Sequence, residues 1–310
     1  ADAVHGRAAA AALPSGRASV SGSQDVVVIG AGIAGLCAAG ELVRAGRRVL
    51  VVEKSRGIGG RMATRRVGAA VCDHGAQFFT VRGRSFGAIA ADAQAAGAVE
   101  TWCRGFGRAA SLGAAVEPAA DGHARWRGVR GMTDLPKFLV ERLAADGHGE
   151  PCLVTTNTRV ATIGTRDDRV VITVESDGRT AVIEAAAAVV TTPVPQALDL
   201  FAAGEAALDA EARAVLATVA YDPCFALMLV LDRPSLVPPP GAIQFAPDAG
   251  GPLAWVADNM QKGISPVPAL TIHATGAFSR DHFAEDPEEV TAILIEAARP
   301  WIDGDPATAV

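Results

Sequence analysis

The stretch VVVIGAGIAGLCAAGELVRAGRRVLVVE, Val26 to Glu53, decides the fold. Val26–Ile29 is a short, largely β-branched run, which predicts a buried parallel strand. Gly30 to Gly35 breaks it. Ile33 to Arg44 predicts a helix rich in Ala and Leu, ended at Gly46. Arg48 to Val52 predicts a second strand, closed by Glu53. Strand, turn, helix and strand follow one another within about 30 residues, the length of a βαβ unit.

Inside the turn, Gly30-Ala31-Gly32-Ile33-Ala34-Gly35 reads G-x-G-x-x-G. Gly30 permits the tight turn. Gly32 lets the backbone approach a pyrophosphate with no Cβ in the way, and Gly35 lets helix and strand pack closely. The helix N-terminus offers unpaired N–H groups and partial positive charge to phosphates. Glu53 can accept both ribose hydroxyls of an adenosine. Its charge would repel a 2′-phosphate, which disfavours NADP. In a chain this rich in Ala and Gly the motif alone is weak; the ordered strand, glycines, helix, strand and acid give it weight. The unit does not separate NAD from FAD. The following Arg56 to Thr64 adds a second glycine loop, Gly59-Gly60, between Arg56 and Arg61. A second close backbone approach flanked by guanidinium groups suits a pyrophosphate clamp; a basic surface loop is the plain alternative.

Composition is that of a globular protein: 310 residues, 50% hydrophobic and 20% charged. The length fits one large or two intertwined domains. A net charge of −6 leaves no basic surplus for nucleic acid or an acidic membrane surface. No apolar run is long enough to span a membrane. Cys37, Cys72, Cys103, Cys152 and Cys224 are odd in number and lack C-x-x-C spacing. This argues against a disulfide framework or a zinc site and for a reducing, cytoplasmic compartment. Among 28 basic residues only Lys54, Lys137 and Lys262 are lysines. Residues 1–24 read as a disordered leader.

Further along, Ser85–Ala98 and Thr133–Ala145 predict helices, with Ala109–Arg127 poorly patterned between them. Cys152–Val154, Arg159–Ile163, Arg169–Glu175 and Thr180–Ile183 predict short strands, with a hairpin signal at Asp177–Gly178. Ala187–Thr192 predicts another strand, stopped by Pro193 and Pro195, and Glu205–Ala217 a helix. Tyr221–Leu231, Ala242–Ala246, Leu253–Ala257 and Ala269–Phe278 predict a larger antiparallel sheet. Asp286 caps a last helix with Pro287 in its first turn. The whole is α/β with α+β elements, not a steady βαβα alternation.

VVVIGAGIAGLCAAGEL, VVEKSRGIGGRMATRR and DHGAQFF together resemble the amino-terminal signature of the monoamine-oxidase and protoporphyrinogen-oxidase superfamily of flavoproteins, and within it the renalase-like branch. Thinner resemblance continues through RGMTDLPKFL (Arg130–Leu139), VVTTPVPQAL (Val189–Leu198) and AWVADNMQKG (Ala254–Gly263). It implies an FAD-binding Rossmann-like domain with a β-meander, discontinuous over 25–85, 135–198 and 285–310. A substrate domain would span 86–134 and 199–284. It implies that Glu53 holds the adenosine ribose, with Lys54 also among the cofactor-binding residues, and that Arg61 lies by the pyrophosphate, with Met62, Ala63 and Thr64 lining the approach to the flavin ring. Gly75, Ala76, Gln77 and Phe78 would pass beside the ring. Val160 would meet the adenine through its backbone, and Thr192 and Pro193 would close that part of the site. The superfamily's usual carboxyl-terminal strand, Gly-Asp and helix find no counterpart near Gly304-Asp305, so the sequence is expected to be a fragment of a longer protein.

Flavin chemistry needs no catalytic triad and no metal, because the ring accepts the hydride. His74 is expected to be structural. His273 should share a strand face with Thr271 and Thr275, and Trp255 and Asn259 end a neighbouring strand; Trp255, Asn259, His273 and Thr275 are the candidate substrate lining. Amine oxidases of the superfamily are described as using an aromatic cage and often a lysine-bound water near flavin N5. One Tyr and three Lys do not exclude a cage, since Trp and Phe remain, but they leave little material for one. The renalase-like resemblance implies another substrate, a dihydronicotinamide dinucleotide reduced at the wrong ring carbon, with oxygen as acceptor. An amine oxidase or desaturase, and a non-catalytic nucleotide-binding fragment, are the alternatives.

Overall fold

A computed structural model describes residues 24–146, 152–206 and 208–304. In chain order, β1 (Gln24–Ile29), α1 (Ile33–Arg44) and β2 (Val49–Val52) come first. They are followed by β3 (Thr64–Val67), β4 (Ala70–Asp73), α2 (Arg84–Ala95), β5 (Val99–Ala109), β6 (Glu117–Gly128) and α3 (Asp134–Asp146). Then come β7 (Leu153–Thr155), β8 (Arg159–Arg166), β9 (Arg169–Ser176), β10 (Arg179–Val190), α4 (Val194–Ala203) and α5 (Ala210–Ala217). The last are β11 (Ala226–Val230), β12 (Ala242–Phe245), β13 (Leu253–Asp258), β14 (Ala269–Ala274), α6 (Gly276–Asp281) and α7 (Pro287–Ala298).

The chain divides into two compact units. The first takes the described residues up to Gly60 and then Pro136–Ala220; the second takes Arg61–Leu135 and the described residues from Tyr221.

The first unit is built on a sheet of order β7-β2-β1-β10-β9-β8. β1 runs parallel to both β2 and β10. Val27, Val28, Leu50 and Val51 are almost wholly buried, as the unbroken apolar runs require. Each such side chain contributes roughly 1.5–3 kcal/mol. β10 is one strand where two were expected. Its first half pairs antiparallel with β9, completing the β8-β9-β10 meander, and its second half pairs parallel with β1. β10 ends at Val190, ahead of both prolines, and these open the next element: Pro193 is the N-cap of α4 and Pro195 sits in its first turn.

The second unit holds a sheet of order β11-β14-β13-β12-β5-β6 and the β3-β4 hairpin. β5 and β6 form a long antiparallel pair across much of the stretch that looked unpatterned. Register shifts near Cys103 and Gly105 disturb the alternation that would have announced it. α7 buries Val290, Leu294 and Ala298 with Leu270, Ile272 and Trp301. Asp286 caps it through the N–H of Glu288, as read from the sequence. The units differ from the sequence boundaries in three stretches. Residues 61–85 and α7 pack in the second unit, while the end of α4 and all of α5, beyond 198, pack in the first. The leader at residues 1–23 and Asp305 lie outside the described residues.

Candidate functional site

In the first unit the glycine turn is held from three sides. Gly30, at φ +104°, donates its N–H to Val52 O over 2.8 Å. A Cβ on Gly35 would overlap the Gly30 carbonyl oxygen, so this glycine is required by close packing. Gly32 is different. Its φ is −75°, and a Cβ built on it meets nothing within 4 Å. Gly32 is the N-cap of α1, and neither a capping side chain nor a first-turn acid satisfies the first N–H groups of that helix. The backbone at Gly32 thus faces open space from the positive end of a helix dipole.

Glu53 lies buried at the end of β2. Its Oε2 accepts the Ala31 N–H and its Oε1 the Ser55 N–H, each at 2.8 Å. The carboxylate therefore fixes the turn as well as closing the strand. Each oxygen keeps a second lone pair for a hydroxyl donor. The second glycine loop comes alongside: Gly59 donates to Ala31 O over 2.9 Å, and a Cβ on Gly60 would sit 3.4 Å from Gly32 Cα. Lys54 Nζ donates to Gln196 Oε1 and Arg56 is exposed. Asn157 takes a left-handed φ of +52° before β8, where Val160 pairs with Val174. Thr192 and Pro193 follow Thr191, whose Oγ donates to Ile29 O.

In the second unit Arg61 lies 5.8 Å from the centroid of the Tyr221 ring. Gly75 is required by its neighbour, since a Cβ there would overlap Arg61 O, which also accepts the Ala76 N–H. Met62 is buried and its carbonyl accepts from Thr133 Oγ1. Ala63 is half-buried, and Thr64 donates its hydroxyl to Asp73 Oδ1 at 2.5 Å. The centre of this unit is a pair that sequence reasoning missed. Lys262 Nζ lies 2.7 Å from Asp73 Oδ2, both side chains fully buried. Asp73 Oδ1 also accepts the Met132 N–H at 2.8 Å. Burial pushes the Lys262 ammonium below its ordinary 10.5, opposed by Asp73. The only sequence signal was the rarity of lysine.

Lys262 Nζ stands 5.0 Å from the centroid of Trp102. Trp102, Phe106, Trp255 and Phe78 pack together with ring centroids 4.8–6.5 Å apart. Arg125 lies 5.5 Å from the Phe78 ring and 5.7 Å from Phe106. His273 is half-buried and opposes Trp255 across the β13-β14 ladder. Its Nε2 lies 3.0 Å from His74 O. Burial lowers the His273 pKa, and it lowers that of His74 as well, there aided by Arg65. The strand ends at Ala274, so Thr275 does not share a strand face with His273; its hydroxyl caps α6 through the Phe278 N–H. Thr271 is buried and accepts from Asn259 Nδ2 at 3.0 Å.

Five buried side-chain atoms find no hydrogen-bond partner among the described residues: Thr192 Oγ1, Gln77 Oε1, Trp255 Nε1, Asn259 Oδ1 and Arg125 Nε. Four belong to residues that the sequence singled out. Buried orphans are uncommon in proteins, and each asks for a ligand or water. Thr192 belongs to the first unit, and Gln77, Arg125, Trp255 and Asn259 belong to the second. No group of His, Cys, Asp and Glu among the described residues could hold a metal. No described helix is long and apolar enough to cross a membrane.

Residues 28–91 match a NAD(P)-binding Rossmann-like domain, and residues 94–308 match the flavin containing amine oxidoreductase family. The chain belongs to the flavin-containing amine oxidoreductase family. Its cofactor is FAD, and the family is one of FAD-dependent oxidoreductases. AofH of Mycobacterium tuberculosis, described as a flavin-containing monoamine oxidase, is 54% identical over 54 residues. That alignment takes in 17% of this chain and 12% of the relative's length. Among solved structures, a triple mutant of putrescine oxidase superposes with a TM-score of 0.69 at 14% identity, covering 93% of this chain and 83% of the other. A protein from Exiguobacterium described as a protoporphyrinogen oxidase gives 0.67 at 13% identity, covering 93% and 86%. At such identities the likeness is one of fold.

Proposed function

We propose that this flavoprotein oxidises a dihydronicotinamide dinucleotide isomer to the aromatic nicotinamide form, with oxygen as final acceptor. FAD, when bound, supplies the two-electron acceptor that takes the hydride. In this reading Gly30 to Gly35, Gly60 and Glu53 hold its pyrophosphate and adenosine ribose, with Lys54 and Arg56 adding positive charge. Val160, Thr192 and Pro193 complete the nucleotide's surroundings. Arg61 to Thr64 and Gly75 to Phe78 serve the ring, and Trp255, Asn259 and His273 are the substrate lining.

The observation that carries the choice of substrate is the placement of cations on the aromatic cluster. An amine substrate in an aromatic cage needs ring faces open to its ammonium. Here Arg125 already stands over Phe78 and Phe106, and Lys262 over Trp102. The ring faces that an ammonium would need are thus already taken by cations, each paired with its own acid, Arg125 with Asp121 and Lys262 with Asp73. A flat ring suits the remaining aromatic surroundings in shape. His273, kept neutral by burial, removes no proton in this reaction, and none needs removing when hydride leaves the substrate carbon.

Oxygen consumption with 2- and 6-dihydro-NAD, set beside putrescine and benzylamine, tests the reading. Turnover of the dihydronicotinamides and none of the amines is expected. Turnover of an amine with neither isomer oxidised would overturn it.

A further inference from the structure

Two of the orphaned atoms in the second unit are chemically opposite and are linked by a third residue. Trp255 Nε1 is a donor without an acceptor, and Gln77 Oε1 is an acceptor without a donor. Trp255 sits directly across the β13-β14 ladder from His273, so their side chains share one face of the sheet. His273 in turn touches Gln77, with Nε2 3.5 Å from Nε2.

The roles of these atoms follow from their neighbours. Gln77 Nε2 donates to two carbonyls, Asp73 O and Gly75 O. That fixes the orientation of the amide, because a flipped amide would set its oxygen against both carbonyls. Oε1 is therefore the unpaired atom. His273 Nε2 faces the His74 carbonyl, which can only accept, so Nε2 carries the proton. The 3.5 Å approach between the two Nε2 atoms joins two donors and is a contact, not a bond. Burial disfavours the imidazolium, aided by the charge of Lys262 and opposed by the bond to the His74 carbonyl, and the net shift is downward. Neutral His273 thus keeps an unprotonated Nδ1, a second acceptor.

We propose that Trp255, Gln77 and His273 form a recognition site for a primary carboxamide. Such a group offers one acceptor, its oxygen, and two N–H donors. Trp255 Nε1–H complements the oxygen; Gln77 Oε1 and His273 Nδ1 complement the amide hydrogens. Phe78, next to Gln77 and packed on Trp255, gives an apolar wall for the ring that carries the group. The inference rests on the dihydronicotinamide reading of the site and deepens it, since the carboxamide is what marks a nicotinamide among flat rings. A hydroxyl, a carboxylate or an ammonium would leave at least one of the three unanswered.

The test compares two nucleotides on the flavin-loaded protein by the perturbation of flavin absorbance at equilibrium. NAD+ has the carboxamide; 3-acetylpyridine adenine dinucleotide keeps the carbonyl and lacks the N–H donors. The wild-type protein should bind NAD+ roughly tenfold tighter, the scale of one or two neutral hydrogen bonds. Trp255→Phe should weaken both nucleotides alike, because both keep the oxygen. His273→Leu should reduce the preference for NAD+ and leave the acetyl analogue nearly unchanged. The wild-type comparison stands even if a variant fails to fold. Equal affinities in the wild type, with flavin still reduced by dihydro-NAD isomers, would overturn the carboxamide site and leave the proposed reaction standing. No binding of either nucleotide, together with no reduction by the isomers, would remove that reaction and the site with it.

Discussion

Gly32 and Gly35 stand three positions apart in one turn and carry opposite predictions. Gly32→Ala adds a methyl group where there is only open space and at an ordinary negative φ, so stability should stay within about 0.5 kcal/mol. The same methyl group occupies the place proposed for a phosphate, so flavin retention through gel filtration should fall sharply. Gly35→Ala drives a Cβ into the Gly30 carbonyl and should cost at least about 1–3 kcal/mol of stability, read by thermal denaturation. Loss of stability at position 32 with full flavin content would contradict the account. His273 and His74 make a pH prediction. Burial holds both below the ordinary 6.5, so the unfolded chain binds their protons first as pH falls. Their contribution is complete above 6.5 and is lost as pH drops below it. The melting temperature should fall over that acid window, and by less in His273→Gln. These local features were legible in the sequence because each reads within a few residues: a glycine with its turn, an acid at the end of its strand. Glu53 was read as a ribose acceptor, but its two bonds to the Ala31 and Ser55 N–H groups were not visible there.

The Asp73–Lys262 pair ties the end of β4 to the turn after β13, across 189 positions of sequence. Removing one partner of a buried pair strands a charge. Lys262→Met should therefore cost about 3–5 kcal/mol in denaturant unfolding, and Asp73→Asn combined with Lys262→Met should cost less than Lys262→Met alone. A double variant no better than the single would show that the charge is not what matters. Asp73 and Lys262 each lie in a quoted stretch, DHGAQFF and AWVADNMQKG, but no spacing or period in the sequence pairs one with the other. The misread elements have physical reasons too. The β5-β6 hairpin hides because register shifts interrupt its two-residue period. β10 looked like two strands because it serves a meander with one half and a parallel sheet with the other. α4 was lost because proline, which ends strands, also starts helices. β14 was read past its end because Thr275, plausible in a strand, is instead a helix cap.

The α/β class, the Rossmann-like unit, the meander and the antiparallel sheet were all present as patterns, because each depends on burial that repeats along the chain. The assignment of α7 to the second unit was not, because its apolar face fits any sheet until the packing partners are known. What the protein oxidises rests on three things together: the glycine turn of the first unit, the cations standing on the aromatic cluster, and the unpaired atoms beside His273 in the second. The most direct test is anaerobic mixing of the flavin-loaded protein with one equivalent of 6-dihydro-NAD, following visible flavin absorbance and assaying NAD+. The account predicts loss of the oxidised flavin spectrum and one NAD+ formed per flavin reduced. A flavin that stays oxidised with this isomer and with 2-dihydro-NAD, yet is reduced by an amine, would contradict it.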